Sequence, residues 1–151
     1  MDYKIVNLNE KIVVGKSIIT TNENSQCIKD IGSMWQEFIG GGIFNSIENK
    51  INGMGIGLYT DYEGDATKPY RFMCCTEVNE NNNPDLECRT ICDGKYAKFT
   101  IKGHMINDVG RAWNEIWSMD LDRRFHCDFE VYHNDSEDIS NQTIDIYISI
   151  N

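Results

Sequence analysis

The chain has 151 residues, 40% hydrophobic and 25% charged, with 24 acidic against 14 basic side chains and a net charge of −10. That length fits one domain, 1–151, with a full core. The acidic balance excludes a phosphate-tracking nucleic-acid surface, which needs clustered Lys and Arg. Met1–Val6 has no basic stretch leading into a long apolar run, and no segment reaches the ~18 apolar residues of a membrane span, so a cytoplasmic protein without membrane contact is expected.

Ile5-Val6 and then Ile12–Thr20, dense in β-branched residues, predict strands. From Gln26 the apolar positions Ile28, Ile31, Trp35, Phe38 and Ile39 recur at helical spacing, and Gly40-Gly41-Gly42 ends that helix. Ile43 to Lys50 is expected to add a further helical turn. Gly55–Glu63 reads as a strand, Gly64–Pro69 as a turn and Tyr70–Val78 as the returning strand. The polar run Asn79–Asp85 is an exposed bridge. Beyond it, Leu86–Ile91 and Lys95–Lys102 read as strands joined by an Asp93-Gly94 hairpin turn. A helix is predicted over Ile106–Met119, a strand over Phe125–Tyr132, and a last strand over Thr143–Ile150 whose even-numbered isoleucines face the core and whose Tyr147 faces away.

This order of elements is one pattern written twice. Gly32-x-x-Trp35-x-Glu37 returns as Gly110-x-x-Trp113-x-Glu115, and Asp61-Tyr62-Glu63 returns as Asp128-Phe129-Glu130. Two motifs recurring in the same order indicate a duplicated unit, with repeats at about 3–78 and 86–150. The fold class is therefore α+β, two strand-helix-strand-strand units related by a pseudo-twofold axis with a central ligand groove. Trp35 is expected to overlay Trp113, and Glu63 to overlay Glu130.

Alternation places Asp128, Glu130 and Tyr132 on one sheet face, and Tyr59, Asp61 and Glu63 together in the first unit. A carboxylate beside aromatic rings suits a lipophilic cation. Desolvated, the same group has the properties of an acid–base catalyst. The competing reading is an ordinary surface acid. Trp35 and Trp113 belong mostly to the core, with a ring edge at the groove. Trp117 is the better ligand contact, because its first-unit counterpart, Ile39, is aliphatic. The six cysteines read as free thiols: adjacent Cys74 and Cys75 point to opposite faces, and Cys88-x-x-x-Cys92 is not a typical zinc spacing. His104, His126 and His133 share no spacing, and no phosphate loop or nucleophile elbow is present. No metal and no cofactor are expected.

The runs Gly57–Glu63, Asp93–Phe99, Trp113–Trp117 and Asp128–Tyr132, in that order, resemble the GyrI-like effector-binding family, the module fused to AraC-type and MerR-type regulators and also found free-standing. The resemblance spans about Tyr3 to Ile150. It implies the same duplicated fold, a groove that takes hydrophobic or cationic small molecules, and a groove glutamate at Glu130. Aromatic contacts carry over to Tyr59, Trp113, Tyr132 and Tyr147. Some free-standing relatives hydrolyse strained cyclopropane compounds with the equivalent glutamate, and one namesake inhibits DNA gyrase. There is no room for a helix-turn-helix before Tyr3 or after Ile150, so direct nucleic-acid binding is not expected, and any regulatory effect would pass through a protein partner, a regulator or gyrase. The expected function is capture of a lipophilic, cationic small molecule. Hydrolysis through Glu130 is the first alternative and inhibition of a protein partner the second.

Overall fold

A computed structural model describes residues 1–65 and 67–151; Ala66, inside the expected Gly64–Pro69 turn, lies outside the described residues. Strands β1 (Lys4–Leu8) and β2 (Lys11–Thr20) precede helix α1 (Gln26–Trp35), which runs on as one π-helical stretch over Gln36–Gly40. Gly42 turns into the left-handed region at φ +81° and starts the short helix α2 (Ile43–Ser46). Strands β3 (Gly55–Thr60) and β4 (Tyr70–Glu77) complete the first unit. The second contains β5 (Glu87–Ile91), β6 (Gly94–Gly103), α3 (Asn107–Ser118), β7 (Cys127–Tyr132) and β8 (Gln142–Ser149). No helix among the described residues is long and apolar enough to cross a membrane.

All eight strands join one antiparallel sheet in the order β1-β6-β8-β7-β3-β4-β2-β5. The units meet at the β3–β7 ladder, and each exports one strand: β1 pairs with β6 of the second unit, and β5 with β2 of the first. The internal symmetry can be read off the registers. β1 and β2 recur 83 positions later as β5 and β6 and β4 recurs 72 later as β8, while ladder register sets β3 onto β7 with an offset of 73, one more than their first residues differ by. These offsets carry ladder onto ladder: Val13 opposite Glu77 becomes Tyr96 opposite Ser149, and Leu58 opposite Met73 becomes Val131 opposite Asp145.

Chain length then forces the sheet to curl. β1 and β2 stand six spacings apart, roughly 29 Å across a flat sheet, yet only Asn9 and Glu10 link them. Three Cα steps reach about 11 Å at most, so the two edges must swing towards each other. Cys92 and Asp93 impose the same constraint between β5 and β6. The inner face closes over Val13, Ile56, Leu58, Met73, Ile91, Tyr96 and Phe129. On the outer face α1 covers the β2–β4 side through Met34 and Phe38, and α3 covers the β6–β8 side through Val109, Ala112 and Ile116.

Two expectations are corrected here. Asp93-Gly94 makes no hairpin, because β5 and β6 belong to opposite edges; Gly94, at φ +137°, serves the crossing between them. The strand expected to reach Glu63 ends at Thr60. Asp61 enters the left-handed region at φ +51°, and its carboxylate accepts hydrogen bonds from Arg71 (2.9 Å) and pairs with Arg89 (2.8 Å), which pulls the chain off the ladder. Glu63 is exposed in the following turn, so it does not overlay Glu130. The position equivalent to Glu130 is Gly57.

Candidate ligand site between the two helices

Between α1 and α3, on the outer face, the β3–β7 ladder would be bare but for large side chains at its centre. Glu130 projects there from β7, is only 2% exposed, and lies directly opposite Gly57. That partner position leaves little room for a side chain. A Cβ on residue 57 would stand 2.9 Å from Glu130 Oε1, 3.2 Å from its Cγ and 3.2 Å from the Phe72 ring.

Three donors converge on the carboxylate. Tyr132 Oη donates to Oε1 at 2.8 Å, Tyr59 Oη to the same oxygen at 3.2 Å, and Trp113 Nε1 to Oε2 at 2.8 Å. Burial pushes the Glu130 carboxyl above its usual range, and the bonds from Trp113, Tyr132 and Tyr59 oppose that shift. Burial and then the charge of Glu130 raise the Tyr59 phenol well above its ordinary value; the same two causes act on Tyr132. Both phenols thus stay protonated as donors.

The rings follow the internal twofold. Tyr59 and Tyr132 are equivalents at the β3–β7 offset of 73. Trp35 packs edge-on against Tyr132 with centroids 5.2 Å apart, and Trp113 packs against Tyr59 at 5.1 Å. Each helix thus sends one tryptophan onto the tyrosine of the other half, and three of the four rings donate to the one acid. Phe72 adds an edge contact to Tyr59 at 5.1 Å.

Of the residues singled out from sequence, Glu130, Tyr132, Tyr59 and Trp113 meet at this point. Trp117 is not among the three donors to Glu130. It is 49% exposed, lies 6.3 Å from the Trp113 ring, and lines a cleft of about 320 Å³ with Met119, Leu121, Arg123 and Phe125. Tyr147 lies on the opposite sheet face, as its odd number in β8 dictates. It stacks on Phe129 at 4.6 Å and borders a second cleft of about 320 Å³ with Lys98, His133 and Asp145. Glu130 lines neither cleft. Asp128, which shares the face of Glu130, is engaged elsewhere. It accepts hydrogen bonds from Tyr62 Oη (2.6 Å), Arg123 (2.8 Å) and the Ser149 backbone N–H (2.8 Å). Sequence reasoning left out Gly57, Phe72 and the full role of Trp35. The matched Gly-x-x-Trp-x-Glu segments were the available signal for Trp35.

The profile of a family described as "Cass2: integron-associated effector binding protein" matches residues 4–150. An integron cassette protein from the mobile metagenome of Vibrio cholerae is 26% identical, with a TM-score of 0.79 over 99% of this chain and 95% of that one. A protein solved bound to tetraphenylphosphonium (SAV2435) is 19% identical, with a TM-score of 0.82 over 100% of this chain and 94% of that one. The C-terminal domain of EcmrR is 17% identical, with a TM-score of 0.61 over 100% and 99%. The last two likenesses establish a shared fold. No curated protein matches the chain.

Proposed function

Because this chain belongs to the family of integron-associated effector-binding proteins, we propose that it captures a lipophilic organic cation, with Glu130 as the counter-charge and Tyr59, Tyr132, Trp35 and Trp113 as the aromatic wall. The carrying observation is the buried Glu130 carboxylate held by Tyr59, Tyr132 and Trp113, with Trp35 packed on Tyr132. A desolvated carboxyl is held either protonated or against a cation, and aromatic faces add about 0.5–2 kcal/mol each to a cation that has shed its water. The fold shared with a tetraphenylphosphonium-bound protein supports the ligand class, and the wider GyrI-like kinship read from the sequence points the same way. With Glu130 2% exposed, entry requires the Trp35–Tyr132 and Trp113–Tyr59 pairs to part.

Tetraphenylphosphonium and neutral triphenylphosphine oxide, titrated calorimetrically against wild type, Glu130→Gln and Glu63→Gln, test the proposal. Glu130→Gln is expected to weaken the phosphonium by about 2–4 kcal/mol, roughly 30- to 1000-fold, and to affect the neutral compound far less. Glu63→Gln is expected to change neither. Unchanged phosphonium affinity in Glu130→Gln would refute the counter-charge role.

A hydrolytic reading rests on the same acid, since a carboxyl raised by burial beside two phenols has acid–base capacity. It predicts product formation from cyclopropane-bearing compounds, lost in Glu130→Gln.

A further inference from the structure

Two thiols and an imidazole meet at the start of β7, three residues before Glu130. Cys92 Sγ lies 2.9 Å from His126 Nε2 and 3.5 Å from Cys127 Sγ, and the three donor atoms all fall within 4.8 Å of one another. We propose that Cys92, His126 and Cys127 form a site for a thiophilic metal ion, zinc or one of like preference, with a fourth position open to water or another ligand.

The backbone around the trio is arranged for convergence. Adjacent residues in a strand point to opposite faces, so His126 and Cys127 would ordinarily diverge. His126 precedes β7, however, and Phe125 just before it lies in the left-handed region at φ +53°, rare for a bulky aromatic residue. Lying outside the ladder, His126 is free of that alternation, and its ring comes within 2.9 Å of Cys92 Sγ while Cys127 Sγ lies 3.5 Å from the same atom. Thr60 Oγ1 donates to the His126 carbonyl at 3.2 Å, and Tyr96 Oη to the Cys92 carbonyl at 2.6 Å, so both flanking backbones are held from outside the cluster. The third ligand, Cys127, is buried at the rim of the inner core.

The spacing fits an ion. Tetrahedral bonds of about 2.3 Å to sulfur and about 2.0 Å to nitrogen place two sulfurs about 3.8 Å apart and a sulfur and nitrogen about 3.5 Å apart. Against those values the two sulfurs must part by about 0.3 Å and Cys92 Sγ and His126 Nε2 by about 0.6 Å, and His126, exposed, has room to retreat. Binding releases the two thiol protons to solvent, leaving a divalent ion balanced by two thiolates. The linear spacing of the cysteines gave no hint of this, because Cys92 and Cys127 are brought together by the crossing from β5 to β6.

Cobalt(II) reports the site directly when added to the full chain kept reduced by a phosphine. The expected result is one cobalt per chain, with thiolate-to-metal charge-transfer and tetrahedral ligand-field absorption, erased by zinc. Cys92→Ser should abolish the charge-transfer band, and His126→Ala, at an exposed position, should weaken binding by roughly tenfold or more. Cys88→Ser, outside the trio, should leave it intact. Absence of the band overturns the proposal, as does a band that survives in both Cys92→Ser and His126→Ala. So does a reduced protein that takes no metal while oxidation joins Cys92 to Cys127.

Discussion

Glu130 and Gly57 face each other across the β3–β7 ladder and are also equivalents under the offset of 73 that carries β3 onto β7, so the internal twofold passes through this pair. A perfectly symmetric duplication would set two identical side chains on the axis against each other. Here one half supplies the acid and the other supplies the space for it. Gly57→Ala is therefore expected to destabilise the fold by about 1–3 kcal/mol through overpacking and to weaken phosphonium binding by displacing the carboxylate. Urea denaturation and calorimetry measure the two effects.

Trp113→Phe keeps a ring beside Tyr59 and deletes the donor to Oε2. A hydrogen bond to a charged acceptor contributes about 1.5–3 kcal/mol, so stability above the folded pKa of Glu130 should fall by an amount in that range. Losing a donor to the ionised form should also raise the Glu130 pKa further. Carboxyl carbon shifts followed by NMR through a pH titration would show it.

The raised pKa of Glu130 fixes the sign of a pH effect. Between the unfolded value and the higher folded one, the native state holds more protons than the unfolded state, so stability falls as pH rises through that window. Glu130→Gln should remove this slope. Cation affinity runs the other way: it is full above the folded pKa and declines as pH drops through it, and binding at intermediate pH releases a proton. Denaturation midpoints and calorimetry in buffers of different ionisation enthalpy check both signs.

Asp128→Ala should cost more than any cage variant, about 3–5 kcal/mol, because it leaves the Arg123 guanidinium, itself largely buried, without its partner and strips an acceptor from Tyr62 and Ser149. Under conditions where it remains folded, its phosphonium affinity should stay near wild type. A large loss of affinity would place Asp128 in the site instead.

Much of this arrangement was legible in the chain. Strand parity joined Glu130 to Tyr132, and helical spacing with the repeated Gly-x-x-Trp-x-Glu segment paired Trp35 with Trp113. The likeness of Asp61-Tyr62-Glu63 to Asp128-Phe129-Glu130 misled, because motif similarity ignores hydrogen-bond register. The arginines on Asp61 end β3 before that segment enters the sheet. The Asp93-Gly94 pair misled for a related reason: turn chemistry reports a local bend and says nothing about which strands pair afterwards. Tyr147 could be assigned a face from its parity, but not the Phe129 ring it stacks on.

The exchanged strands have a consequence for how the chain becomes a folded object. Each half lends an outer strand to the other, β1 to β6 and β5 to β2, so neither half owns a complete sheet. A chain cut within Asn79–Asp85 should give two fragments that are unstructured when expressed separately and acquire structure on mixing. A single copy of the unit could complete its sheet only by exchanging its outer strand with a second copy. Joining the two halves in one chain also frees each from matching the other, so that one side of the axis carries glycine and the other an acid.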